Sequence, residues 1–148
     1  MLKSKKFAFQ RTHPDRYSFK IIIMNVKIDT KEKFTVITPN VSELSANMTG
    51  ELTELLLPYL QKDIPHIVMN LGHVKKMDAE FGDALAALQS KFYENHCSFV
   101  ICELDPEVEK VLDKSELLEL MNITPTESEA WDILQMEEIE RELLGGEE

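Results

Sequence analysis

The sequence predicts a single α/β domain. Short apolar runs of strand character alternate with longer segments whose apolar residues recur at helical spacing, and this alternation implies parallel strands in a layered fold. At 148 residues the chain has the length of one domain, and 43% hydrophobic residues can fill one core.

The alternation begins at Met24. Asn25–Ile28 reads as a short strand and Phe34–Thr38 as a second, with Lys31-Glu32-Lys33 as the turn between them and Pro39-Asn40 closing the pair. Asn47–Lys62 places Met48, Leu52, Leu55, Leu56, Tyr59 and Leu60 on one broad face, which is a helical pattern. Pro58 lies inside it. An interior proline removes a backbone donor and costs on the order of 3 kcal/mol, so the helix is expected to kink or fray there. His66–Leu71 reads as an apolar strand in the buried middle of a sheet.

Ala79–Asn95 is the second clear helix, with Phe81, Ala84, Leu85, Leu88 and Phe92 on one face. Gly82, Ala84, Ala86 and Ala87 keep it slim enough to lie close to a sheet. Ser98–Cys102 is another buried strand. Asp105-Pro106 then opens a helix with an acceptor at the cap and proline at the first position, and Val108, Val111 and Leu112 form its inner face. Met121–Thr124 reads as a short edge strand. Thr126-Glu127-Ser128-Glu129 is a capping box for the last helix, which buries Ala130, Ile133, Leu134 and, at its margin, Trp131. Met136–Leu143 continues as an acidic amphipathic helix to Gly145-Gly146. Glu137 and Arg141 at i, i+4 support it by a few tenths of a kcal/mol. This run suits a docking segment and a plain C-terminal helix equally well.

The resulting plan is a basic extension over residues 1–23, a domain over 24–134 and an acidic helical extension over 135–148. Residues 1–23 carry Lys3, Lys5, Lys6, Arg11, Arg16 and Lys20 against Asp15 alone. They read either as a disordered basic tail or as sequence upstream of a true start at Met24, and the second is preferred. The whole chain has a formal net charge of −11, so the body is more acidic still. An acidic body argues against nucleic-acid binding, which needs a basic face. No apolar stretch is long enough to span a bilayer and no signal peptide is visible, so a cytoplasmic protein is expected. Cys97 and Cys102 on one strand would lie about 16 Å apart, too far for a disulfide, and read as buried thiols.

The sequence names no catalytic centre. His13, His66, His73 and His96 fall at no metal-ligand spacing, and the glycine-rich phosphate loops and nucleophile elbows are absent. Neither metal nor cofactor is expected. The informative stretch is His66 to Leu85, which passes from a strand through the basic turn Lys75-Lys76 to Asp78 and into a helix. Read alone, Asp78 is a helix N-cap worth about 1 kcal/mol, and Glu80 and Asp83 are first-turn acids opposing the helix dipole.

The order of elements, Asn70-Leu71 closing the central strand, Asp78 in the turn and Glu129-Ala130 in the last helix together resemble the STAS domain family, the fold of bacterial anti-sigma factor antagonists, over Met24 to Ile133. The resemblance implies a small mixed β-sheet with about four helices packed mainly on one face. In that family the turn reads Asp-Ser-Ser-Gly, and phosphorylation of its first serine ejects the bound kinase. An ungapped match sets Asp78 on the aspartate, Ala79 on that serine, Glu80 on the second serine and Phe81 on the glycine. Alanine cannot be phosphorylated, and Asn70 to Gln89 contains no Ser, Thr or Tyr.

The implied function is a non-catalytic protein-binding module without the phosphoserine switch. Its implied partner is an anti-sigma factor or a related serine-kinase-domain protein. The implied contacts are Lys75, Lys76, Asp78, Ala79, Glu80 and Phe81, with Ser42 and Asn47 on the neighbouring approach. Two alternatives stand beside it. One is an accessory STAS subunit on the ATPase of a lipid-transport ABC system, a role that needs no serine. The other is a small-ligand or nucleotide-binding domain using its abundant carboxylates.

Overall fold

The computed structural model describes residues 25–145; the basic extension 1–23 and Gly146 lie outside the described residues. The polypeptide forms a five-stranded mixed sheet in the order β1-β2-β4-β6-β7. β1 (Val26–Thr30) runs antiparallel to β2 (Thr35–Pro39), with Val26 opposite Pro39 and Thr30 opposite Thr35. The Lys31 N–H donates to the Phe34 carbonyl at 2.8 Å and closes the turn between them. All further pairings are parallel: β2 with β4 (Ile67–Asn70), β4 with β6 (Phe99–Cys102) and β6 with β7 (Ile123–Thr124). Two short strands outside this sheet, β3 (Glu43–Leu44) and β5 (Lys76–Met77), pair parallel with each other.

The two-residue period of a strand divides the core in two. Ile37, Ile67, Met69, Phe99 and Ile101 face one side of the sheet. There they meet Leu52 and Leu56 of α1 (Thr49–Leu56), Phe81, Leu85, Leu88 and Phe92 of α2 (Ala79–Glu94), and Val108 and Leu112 of α3 (Pro106–Lys114). Val36, Val68, Val100 and Cys102 face the other side and are covered by Ala130 and Leu134 of α4 (Glu127–Gly145). Burying one large apolar side chain contributes about 1.5–3 kcal/mol, so the three-helix face carries most of the stability. Phe92 meets Phe99 edge-on at 5.1 Å across that face, and Phe34 meets Trp131 edge-on at 5.1 Å on the other. This is the expected α/β architecture, with three helices on one face and one on the other.

The expected elements recur with shifted ends. The helix expected over Asn47–Lys62 breaks where Pro58 requires it: the α-helix stops at Leu56 and a 3-10 turn runs from Leu57 to Gln61. Asp105 accepts from the Glu107 N–H at 3.0 Å, as the cap of α3 should. Thr126 accepts from the Glu129 N–H at 3.2 Å, as the N-cap of the expected capping box should, and the Glu129 carboxylate reaches back to the Thr126 hydroxyl at 2.9 Å and not to its backbone N–H. Val111 is only half-buried, whereas its neighbours Val108 and Leu112 are fully buried. Both cysteines are buried and free, and burial raises both thiol pKa values, that of Cys102 to about 12. The helix over the capping box runs through residues 134 and 135 without a break, so residues 135–145 continue the last helix.

Buried polar side chains stitch these layers together. Gln89, on α2, donates to the Phe99 carbonyl at 2.7 Å and the Asn122 carbonyl at 3.2 Å, and accepts from the Asn122 N–H at 2.9 Å. It thereby fastens the approach to β7 onto the helix. Farther along, Glu137 of α4 accepts from Tyr93 at 3.0 Å, Ser98 at 2.5 Å and Asn122 at 3.1 Å. Arg141 donates to the Ser98 hydroxyl at 3.0 Å. The outer half of α4 is therefore held by a polar network where its apolar seam has ended. Beside it, His66 Nδ1 accepts from the Ser98 N–H at 3.0 Å, which requires an unprotonated Nδ1. Burial first, and then the Arg141 charge, lower the His66 pKa, against the opposing pull of Glu138 and Glu137.

Two outcomes are expected. Gln89→Leu strands the Asn122 N–H and the Phe99 carbonyl, while the Asn122 carbonyl keeps the Ile101 N–H at 3.0 Å, and should cost about 2–4 kcal/mol in urea unfolding. For His66 the folded pKa lies below the ordinary 6.5, so the folded protein binds fewer protons than the unfolded chain just below that pH. Its contribution to stability is complete above pH 6.5 and lost as the pH falls through the folded-state pKa. An NMR titration of the imidazole should give a midpoint below 6.5; a midpoint at or above it would contradict the arrangement.

Candidate functional site

The candidate surface is built where β3 and β5 pair. Glu43 lies opposite Lys76 and Leu44 opposite Met77. The Ser42 carbonyl accepts from both the Lys75 and Lys76 N–H groups, at 2.7 and 3.0 Å. The Asp78 N–H donates to the Leu44 carbonyl at 2.9 Å. Leu44, Val74 and Met77 are buried beneath, so this short pair is nailed to the core at its apolar residues. Segments more than thirty positions apart in sequence thus become one ledge.

Asp78 occupies the N-cap position of α2 with extended backbone, and its carbonyl accepts from the Gly82 N–H at 3.1 Å. Its carboxylate does not cap its own helix. Oδ2 instead accepts from the Ala46 N–H at 2.8 Å. The sequence-based reading of Asp78 as a side-chain cap is thereby corrected: a donor across the ledge wins the carboxylate. Ala46 starts the 3-10 turn Ala46–Met48, where the Ser45 hydroxyl bonds to the Asn47 side chain. One carboxylate thus fixes the approach segment against the start of α2.

The expected contact residues are brought together with one exception. Ser42, Asn47, Lys75, Lys76, Asp78, Ala79 and Glu80 are all exposed. Phe81 is fully buried in the three-helix core, so it leaves the set of surface contacts and serves as the anchor of the turn. Gly82 beside it is also buried, and a Cβ there would stand 3.0 Å from Leu112 Cδ2, so α3 packs against α2 at this point. Lys75 reaches Asp105 at 3.4 Å. The Asp105 carboxyl is held below its ordinary range chiefly by the Glu107 N–H, with Lys75 adding to it.

Sequence reasoning missed the clasp behind the ledge. Asn70 accepts from the Gly72 N–H and donates to the Glu127 carboxylate, both at 2.9 Å. Glu103 accepts from the Glu127 N–H at 3.0 Å, and does so from left-handed backbone with φ 61°. Asn70-Leu71 stands out in the sequence only as the end of a strand, and nothing local marks Glu103 as the cap of a helix that begins far downstream. β3 and β5 were missed as well, since two residues cannot show a period.

Among the described residues no cluster of His, Cys, Asp and Glu is arranged to hold a metal ion. A surface groove of about 350 Å³ lies at the opposite end of the sheet, beside Lys31, Lys33, His66, Trp131 and Glu138. Its lysines already pair, Lys31 with Asp29 at 3.0 Å and Lys33 with Glu138 at 3.6 Å.

A family model described as STAS domain matches residues 20–130, and the chain belongs to that family. Its fold is shared by solved structures of low identity. A protein from Thermotoga maritima, described as a candidate anti-sigma factor antagonist, is 20% identical with a TM-score of 0.66 over 78% of this chain and 97% of its own. The anti-sigma factor antagonist SpoIIAA in its unphosphorylated form is 18% identical with a TM-score of 0.61, over 75% and 96%. SLC26A9 is 17% identical with a TM-score of 0.55 over 76% of this chain and 21% of its own length. Among the described residues no helix is long and apolar enough to cross a membrane.

Asp78→Ala should free the Ala46 amide and loosen the approach while leaving Phe81 in place. Native-state amide exchange at Ala46 is expected to speed up by about tenfold or more, with little change at core strand amides. Equal acceleration across the sheet would mean that Asp78 acts on the whole fold and not on the ledge.

Proposed function

We propose that this protein is a non-catalytic binding module that docks an anti-sigma factor, or a related serine-kinase-domain protein, through the ledge at the start of α2. The observation that carries this reading is the β3–β5 pairing. It gathers Ser42, Asn47, Lys75, Lys76, Asp78, Ala79 and Glu80 into one exposed surface on a buried footing. Family membership supports the choice of partner class. The regulation differs from that of the phosphorylated relatives. The turn carries Ala79 and Glu80, neither of which has a hydroxyl, and the fixed negative charge of Glu80 adjoins the first-turn N–H groups of α2. The surface is thus a constitutive one, set by its side chains and not by phosphate.

A second reading rests on the same missing hydroxyl: an accessory subunit on the ATPase of a lipid transporter. Affinity purification from the native host followed by mass spectrometry separates the two, since a sigma-regulatory kinase supports the first and a transporter ATPase the second. With the partner in hand, Glu80→Lys should weaken binding by about tenfold or more at unchanged thermal stability. Incubation of the purified pair with ATP should leave Asn70–Gln89 free of phosphate. Binding that is indifferent to Glu80→Lys and to Ala79→Ser with kinase and ATP would remove the ledge as the interface.

A further inference from the structure

The outer half of α4 presents an apolar stripe that nothing among the described residues covers. Met136, Ile139 and Leu143 fall at i, i+3 and i+7, one face of a helix, and are 58%, 55% and 68% exposed. The rotation of this half-helix is fixed from the opposite face, where Glu137 and Arg141 are engaged with Tyr93, Ser98 and Asn122. The stripe therefore points outward by construction.

The charges around it are of one sign. Asp132 continues the stripe by one turn, and Glu140 and Glu142 flank it; all three are exposed. Arg141 is the only cation of α4, and it is bound to Ser98 on the inner side. Lys33 is engaged with Glu138. A second copy of this helix would set the same acids against each other, which is unfavourable.

We propose that this stripe is a second docking surface, distinct from the ledge at α2, and that its occupant is a basic amphipathic helix of a partner protein. The partner's apolar seam packs along Met136, Ile139 and Leu143, and its flanking Lys or Arg side chains meet Asp132, Glu140 and Glu142, as charges beside a two-helix seam do.

The test uses the full chain and a fluorescein-labelled synthetic helix with leucine at i, i+3 and i+7 and lysine on its flanks. Saturable one-to-one binding is expected in an anisotropy titration. It should weaken by about tenfold or more in Ile139→Glu, whose exposed position leaves the unfolding transition unchanged. It should weaken several-fold when salt rises from about 0.05 to 0.5 M, and vanish for a peptide with glutamate in place of lysine. Glu80→Lys at the ledge should leave it unaffected, so that failure here and failure of the proposed function are separable. Absence of saturable binding, or binding equal in Ile139→Glu, would overturn the proposal. A dimer in sedimentation that Ile139→Glu dissolves would overturn it in favour of self-pairing.

Discussion

Parallel pairing of a strand buried on both faces is the constraint on which the rest depends. β4 lies between β2 and β6 and points Ile67 and Met69 into one core and Val68 into the other. Parallel neighbours on both sides oblige β2, β4, β6 and β7 to end at the same edge of the sheet. Their following segments must therefore crowd together there. Ser42, Lys75, Asp105 and Thr126 each lie just beyond a strand end, and the bonds between these segments form the ledge and its clasp. The candidate surface is thus a consequence of strand direction, with side chains refining what topology has already assembled.

That origin also explains how much was legible in the sequence. Strands such as Phe99–Cys102 and helices such as α2 announce themselves, because burial on a face repeats at a fixed period. Pro58 predicts a break, and a break is found at Leu56. Contacts between strand-end segments leave no such trace. The pairing of Glu43 with Lys76 and the bond from Ala46 to Asp78 join positions that share no pattern. Asp78 shows the limit well: its position as the residue before a helix was legible, but the destination of its carboxylate depended on which donor the fold would bring within reach. Phe81 was ambiguous for the opposite reason, as a residue lying both in a turn and on the inward face of a helix. The inward face prevailed because the core beneath α2 had a place for an aromatic ring.

The two ends of the sheet are treated differently. At the carboxyl end of the parallel strands, backbone and side chain bonds fix a polar, exposed ledge. At the other end, His66, Ser98, Tyr93, Asn122, Glu137 and Arg141 replace apolar packing with a hydrogen-bonded network under the projecting half of α4. Each group in that network has a partner, so the helix gains orientation from it without a large apolar area. Protonation of His66 would remove the acceptor for the Ser98 N–H, which makes this end the more sensitive of the two to acid.

The strands at the margins have a further consequence, for how the sheet meets another sheet. β7 is two residues long and is followed by Pro125, which has no backbone donor to offer. β1, the other edge strand among the described residues, carries Lys27 and Asp29. Brevity and proline on one side, and charge on the other, are the devices by which an exposed strand refuses to template the growth of a neighbour. Among the described residues, both edges of the sheet thereby disfavour edge-to-edge addition of a further strand.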